Sequence, residues 1–470
     1  MFRKLPRRGP GCDRPCTTPH WGMLVTDASE PGLIERHFAL AERGTTVRTE
    51  VLAGSTTFLT MAYIIIVNPA ILGAAGMPVS AVAAATCLAA GLASILMGLT
   101  ANVPLALAPG MGLNAYFAFT VVQGMGVPWP VALGCVFLSG IAFLLLTFAG
   151  IRQLIIAAIP PQLFAAVAGG IGLFIGLIGL KNAGIIVTSP ATSVTLGNLH
   201  APGAALALFG LVVTAGLAAW KVRGAILIGI AATTLAGWLT GQVAFKPEPY
   251  DLTAIGQVAF HLDLAGVFGL SGSHGLGLFE ILFVFLFVDL FDNVGTLVGV
   301  TRRAGLIDSQ GRIPRLNRIL FTDAVASIAG SLFGTSTVTS YVESAAGVQA
   351  GGRTGLTAVV TGVLFLLAMF VAPWAQLVPI AATAPALVLV GGLMMAPLAD
   401  VDWDDAEIAI PAFLTVAMIP FTFSIANGLA FGITAYALIR LIRGKISAAD
   451  WLLLVLAGLF VVRFAWLAAG

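Results

Sequence analysis

Residues 334–348 read GTSTVTSYVESAAGV. Threonines alternate with β-branched and aromatic neighbours as in a short strand, a glutamate follows, and a run of small residues then suits a helix. The stretch lies in a chain of 470 residues of which 59% are hydrophobic and only 9% charged, with a mean hydropathy of +1.00. Soluble domains carry about 25% charged residues, so this is a polytopic membrane protein. Strand-like backbone at membrane depth needs a reason, because N–H and C=O groups left unpaired in hydrocarbon cost several kcal/mol each.

Working outward, apolar runs of the roughly 20 residues needed to cross a bilayer recur from about residue 50 onward. Candidate spans lie near 50–72, 79–100, 103–122, 128–149, 153–180, 203–220 and 224–240, then near 279–300, 319–333, 336–350, 355–372, 376–396, 407–424 and 426–442. The expected division is a cytoplasmic tail (1–47), a first seven-helix repeat (48–240), an external linker (241–277), a second seven-helix repeat (278–443) and a C-terminal hydrophobic segment (444–470). Basic loops stay cytoplasmic; Arg152, Lys221 with Arg223, the cluster from Arg302 to Arg318, Arg353, and Arg440 with Arg443 all fall on the side of the N-terminal tail. Trp451 to Ala468 reads either as a further span or as a helix lying on the surface.

An odd number of spans per half gives the halves opposite orientations, the pattern of inverted-repeat transporters. The partner of the opening stretch is NVPLALAPGMGLNAYFAF, residues 102–119, where Pro104 and Pro109 prevent a regular helix and the glycines free the backbone before helix resumes. Two short strands, one from each half, can pair and satisfy each other's backbone. The half-helices after them then aim positive N-termini at one shared cavity.

The acids sit near these interruptions. FLFVDLFDNVGTLVGV, residues 285–300, places Asp289 and Asp292 on one helical face, and Glu343 follows the second strand. Acids in apolar spans mark substrate or proton paths. A carboxylate in such a place can exchange a proton and accept two N–H bonds from a planar heterocycle. We therefore take Asp292, Glu343 and Asp289 as proton-coupling candidates. Tyr63, Tyr116 and Phe117 are candidates for an aromatic face. Asp323, near the start of its helix, reads as structural.

Other chemistry finds little support. The net charge of +2 gives no footprint for nucleic acid. The histidines at 20, 37, 200, 261 and 274 lack metal-ligand spacing, and Cys12, Cys16, Cys87 and Cys135 read as free thiols. Gly110-x-Gly112-x-x-Ala115 imitates a dinucleotide fingerprint, but it lies in a membrane span with no ribose-binding acid after it. No cofactor and no enzymatic activity are expected; a two-aspartate protease would need its acids on different helices. A channel would want rings of repeated polar groups.

The stretches 44–72 (GTTVRTEVLAGSTTFLTMAYIIIVNPAIL), 101–119, 287–300 and 336–360 (STVTSYVESAAGVQAGGRTGLTAVV) together resemble the AzgA-like hypoxanthine, guanine and adenine permeases of the nucleobase cation symporter 2 superfamily. The resemblance spans roughly residues 43–445 and implies fourteen helices in two inverted repeats, divided into core and gate domains that move like an elevator. It implies proton-coupled import of a purine base across the plasma membrane. Asp292 and Glu343 would hold the base with the backbone of Tyr341 and Val342, and Asn114 matches the family's helix-3 asparagine. A homodimer is a further implication. Asn293 and Gln349 depart from the expected threonine and alanine. The competing expectation is an inorganic-anion permease of the related sulfate-transporter fold, which favours a site without acidic side chains.

Overall fold

The computed structural model describes residues 32–150, 159–242, 252–273, 277–304, 313, 315–445 and 450–469. The tail readings on residues 1–31, with Cys12, Cys16 and His20, lie outside the described residues, as do those on Arg152, His274 and Arg312.

A short helix α1 (Leu33–Phe38) precedes the first repeat: α2 (Val47–Met61), α3 (Ile64–Gly73), α4 (Val79–Thr100), β1 (Leu107–Pro109), α5 (Met111–Ala115), α6 (Trp129–Phe148), α7 (Pro161–Asn182), an outer hairpin β2 (Ile186–Ser189) with β3 (Ser193–Leu196), α8 (Pro202–Ala219) and α9 (Ala225–Leu239). Helix α10 (Leu264–Ser273) then leads into the second repeat. That repeat comprises α11 (Gly277–Arg303), α12 (Leu316–Phe333), β4 (Val338–Ser340), α13 (Ser344–Gln349), α14 (Gly355–Ala368), α15 (Ile380–Met394), α16 (Ala406–Phe421) and α17 (Ile425–Ile442). A last helix, α18 (Trp451–Ala469), packs along α17. The stretch expected as a plain linker thus contains a 3-10 turn (Leu252–Gln257) and α10.

Each boundary has a local cause. Thr46 caps α2 by accepting the Thr49 N–H at 3.2 Å, and Pro78, Pro128, Pro160 and Pro379 immediately precede helices, where a missing N–H costs nothing. At the end of α4, Asn102 takes a left-handed backbone (φ 52) and the prolines after it hold the chain extended. Gly334, at φ 88, closes α12 in the same way ahead of the opening stretch. After α5 the helix widens to π geometry over Tyr116–Gly124. Such π segments frequently occur at functional sites.

The packing repeats itself between the halves. α4 lies on α14 as α12 lies on α6; α2 meets α14 as α11 meets α6; α16 meets α7 as α8 meets α15. α7 and α15, the fifth helices of the two halves, pack on each other, and β1 pairs with β4. Exchanging the halves leaves this pattern unchanged. The chain is a mostly helical, two-repeat membrane protein in which the first four segments of each half form a core and the last three form a gate. Among the described residues, seven helical stretches, α2 with α3 counted as one, are each long and apolar enough to cross a membrane, and shorter apolar helices accompany them.

Close approach within the core rests on glycine. A Cβ on Gly355 would strike the Gly98 carbonyl, and one on Gly362 would lie 2.5 Å from the Gly91 carbonyl. Small residues let α4 and α14 approach backbone to backbone. The start of α14 is capped from another helix. Fully buried Glu50 accepts the N–H groups of Arg353 (2.9 Å), Thr354 (3.3 Å) and Thr357 (3.2 Å) and the Thr357 hydroxyl (2.5 Å). A carboxylate there meets unpaired donors and the positive end of the helix dipole.

Candidate functional site

The opening stretch and its partner meet as an antiparallel pair: Leu107 faces Ser340, Ala108 faces Thr339 and Pro109 faces Val338. Beyond the strands the Tyr341 N–H donates to the Ala106 carbonyl (3.0 Å) and the Gly110 N–H to the Thr337 carbonyl (2.9 Å). Serines complete the backbone pairing. Ser94 bridges the N–H and C=O of Leu107 at 2.9 and 3.1 Å, Ser327 donates to the Val338 carbonyl at 2.9 Å, and Ser344 accepts the Ala106 N–H at 3.0 Å. Ser94 and Ser327 stand on α4 and α12, equivalent helices of the two halves. Strand backbone at membrane depth is therefore satisfied inside the protein, as hydrocarbon demands.

Around this crossing the three acids take different places. Asp292 is half-buried and hydrogen-bonds to none of the described residues. A Cβ on Gly110 would lie 3.7 Å from Asp292 Oδ2 and 2.9 Å from Thr339 Cγ2, so carboxylate, strand β4 and the start of α5 converge on a position that only glycine leaves open. Glu343, also half-buried, receives the Tyr63 hydroxyl on Oε1 at 2.6 Å. Asp289 is 3% exposed, with the Ser327 hydroxyl 3.4 Å from its Oδ2. Two acids thus keep some surface beside the crossing, and the third is packed behind it.

The remaining predicted residues are placed as follows. Tyr341 is buried, its hydroxyl on the Pro109 carbonyl at 2.5 Å and its N–H in the strand pair. Val342, between two less exposed neighbours, is 48% exposed. Tyr63, Tyr116 and Phe117 are fully buried; Tyr116 meets Phe285 edge to face at 5.1 Å. In this arrangement none of the three rings offers an open face. All three are packed in the core, and Tyr63 also presents its hydroxyl to Glu343.

Asn114 belongs to a network that sequence reasoning missed. Its Nδ2 donates to Asn68 Oδ1 at 2.5 Å, its Oδ1 accepts the Ser336 hydroxyl, and Asn68 Nδ2 donates to Thr86 (2.8 Å) and Thr335 (3.0 Å). All five residues are fully buried. Thr339, whose hydroxyl is buried without a hydrogen-bond partner among the described residues, is a second addition. The available signal was polarity in apolar runs, Asn68 inside IIIVNPAIL and the hydroxyl series 335–340. No charge accompanied it.

Comparison with known proteins matches residues 48–431 to the model of the Permease family, Xan_ur_permease. The chain is similar to the adenine permease AdeP of Escherichia coli, 48% identical over 449 residues that cover 95% of this chain and 99% of the relative. It is also similar to the guanine/hypoxanthine permease PbuG of Bacillus subtilis, 44% identical over 444 residues, 92% of this chain and 99% of the relative. Among solved structures, the transmembrane domain of a cyanobacterial bicarbonate transporter, BicA, superposes with a TM-score of 0.62, covering 81% of this chain and 97% of that one. At 14% identity that likeness concerns the fold alone.

Proposed function

The chain belongs to this Permease family, and from that premise we propose that it imports purine nucleobases across the cell membrane by proton symport. The observation that carries the reading is the pair of half-buried carboxylates, Asp292 and Glu343, beside crossed strands whose own backbone is satisfied. A purine presents N–H groups on a planar edge, and an ionised carboxylate accepts two such bonds. A small inorganic anion would instead meet repulsion from both acids. The names of the relatives, adenine and guanine/hypoxanthine permeases, point to the same substrate class.

In this reading Asp292 and Glu343 bind the base and at least one of them cycles a proton, with Asp289 in support. Tyr63 orients Glu343, Asn114 holds the start of α5, and the exposed Val342 side chain bounds the cavity. Movement of the core past the gate in the manner of an elevator, a cytoplasmic N-terminus and assembly as a homodimer complete the proposal.

The test is uptake of radiolabelled hypoxanthine in a host lacking purine uptake, at two external pH values, with adenine, guanine, uracil and sulfate as competitors. Competition by purines alone and stimulation by acid are expected. Competition by sulfate, or uptake indifferent to pH, would count respectively against the substrate class and the coupling.

A further inference from the structure

We propose that Asn68, on α3 and outside the predicted site, is a positioning residue for purine binding: its amide fixes the orientation of Asn114 and thereby clamps the end of the strand pair beside Asp292. The proposal rests on the purine reading above.

The donor and acceptor bookkeeping leaves Asn68 one orientation. The Thr86 hydroxyl donates to the Val82 carbonyl at 2.7 Å, so toward Asn68 it can only accept. Asn68 must therefore turn its NH2 toward Thr86, where the distance is 2.8 Å, and its second N–H reaches Thr335 at 3.0 Å. That leaves Asn68 Oδ1 facing Asn114, which has to present its NH2 at 2.5 Å. Asn114 Oδ1 is then fixed toward the Ser336 hydroxyl. One hydroxyl on α4 thus determines the orientation of two amides across three chain segments.

The position of the network gives it leverage. The Asn114 N–H bonds the Gly110 carbonyl at 2.8 Å, and the Gly110 N–H bonds the Thr337 carbonyl at 2.9 Å. Gly110 is the residue whose missing Cβ leaves room beside Asp292 and Thr339. Each strand is only three residues long. The Asn68–Asn114–Ser336 chain holds the start of α5 to the entry of β4 at the end of the pair where Asp292 lies. In a fully buried site, a hydrogen-bonded network specifies one geometry only while every member is satisfied. Removing its hub frees the helix start that the acid faces.

The experiment is equilibrium binding of hypoxanthine and of adenine to purified protein, with the melting temperature of the ligand-free protein measured in parallel. The variants are Asn68→Leu, Thr86→Val and Thr86→Ser. Thr361→Val serves as the stability control; its hydroxyl bonds the Gly54 and Thr357 carbonyls on α2 and α14, away from this network. Asn68→Leu should weaken purine binding by about tenfold or more, and Thr86→Val by about threefold to tenfold, while Thr86→Ser binds as wild type. Thr361→Val should lower the melting temperature and leave affinity unchanged. If Asn68→Leu fails to fold, the Thr86 pair alone decides, since valine keeps the shape and serine keeps the hydroxyl. Equal affinity in Thr86→Val and Thr86→Ser, or a loss in Thr361→Val as large as in the network variants, would overturn the positioning role. Wild-type protein that binds neither purine would overturn the substrate reading itself.

Discussion

The hydroxyl of Tyr63 donates to Glu343 Oε1 across 2.6 Å, joining residues 280 positions apart in the chain. The bond ties the break between α2 and α3 in the first repeat to the residue that opens α13 in the second. The acid assigned to substrate is thus held by the opposite half of the molecule. Hydrogen bonds to charged groups contribute about 1.5–3 kcal/mol, more than neutral ones.

Tyr63→Phe keeps the ring, which is buried, and removes only the donor. Expression in the membrane should be close to wild type, and kcat/KM for purine uptake should fall by about tenfold. Unchanged kinetics would mean that Glu343 needs no fixed orientation.

Asp289 and Asp292 should separate experimentally although they share a helical face. Asp292 has surface and no hydrogen bond among the described residues, so Asp292→Asn should abolish uptake with little change in the melting temperature. Asp289 is packed at 3% exposure against Ser327, so Asp289→Asn should lower the melting temperature as well as uptake. Paired uptake assays and thermal unfolding in detergent check both. Full uptake by Asp292→Asn would remove that carboxylate from the mechanism.

How far these features could be read in the sequence follows from their physics. Pro104, Pro109 and the threonine alternation announced strands in the membrane, because proline and β-branched residues disfavour helix whatever surrounds them. The two-repeat arrangement followed from segment number and loop charge. The difference between Asp289 and Asp292 was not legible. They are three residues apart on one helix, and only the packing of α12 behind it decides which acid is covered. The Asn68 network was likewise silent, since it joins residues 18 to 267 positions apart and an isolated asparagine has no periodicity. Tyr63 was expected to offer a ring and instead offers a hydroxyl, a distinction that depends on where the helix breaks.

Glu50→Gln tests the cap on α14. Glutamine retains one carbonyl oxygen: turned toward the Thr354 and Thr357 N–H groups and the Thr357 hydroxyl, now on Oε2, it sets its NH2 against the Arg353 N–H, now on Oε1, and turned the other way it sets its NH2 against the other three donors. Leaving buried donors unpaired costs about 1–3 kcal/mol each before relaxation. A melting temperature several degrees below wild type is expected, with purine affinity in the surviving folded fraction retained. A normal melting temperature would show that the helix start finds other acceptors.

The glycine contacts between α4 and α14 make the sharpest stability prediction. At Gly355 an added Cβ would collide with the Gly98 carbonyl and also lie 2.8 Å from the Asn102 Cα, both backbone atoms that cannot rotate away. The two helices would have to separate along their whole contact, opening voids where neighbouring side chains now touch. Separation would also pull on Asn102, whose Oδ1 accepts the Gly355 N–H at 2.7 Å and whose backbone begins the turn into β1. Gly355→Ala should therefore cost both folded yield and uptake. Gly392 is the comparison, because a Cβ there meets nothing within 4 Å; Gly392→Ala should be neutral or slightly stabilising, since alanine favours helix by about 1 kcal/mol over glycine. Monodispersity and thermal unfolding of the two variants in detergent distinguish them. Equal behaviour would mean that α4 and α14 can move apart without loss, and that the core does not depend on glycine-mediated approach.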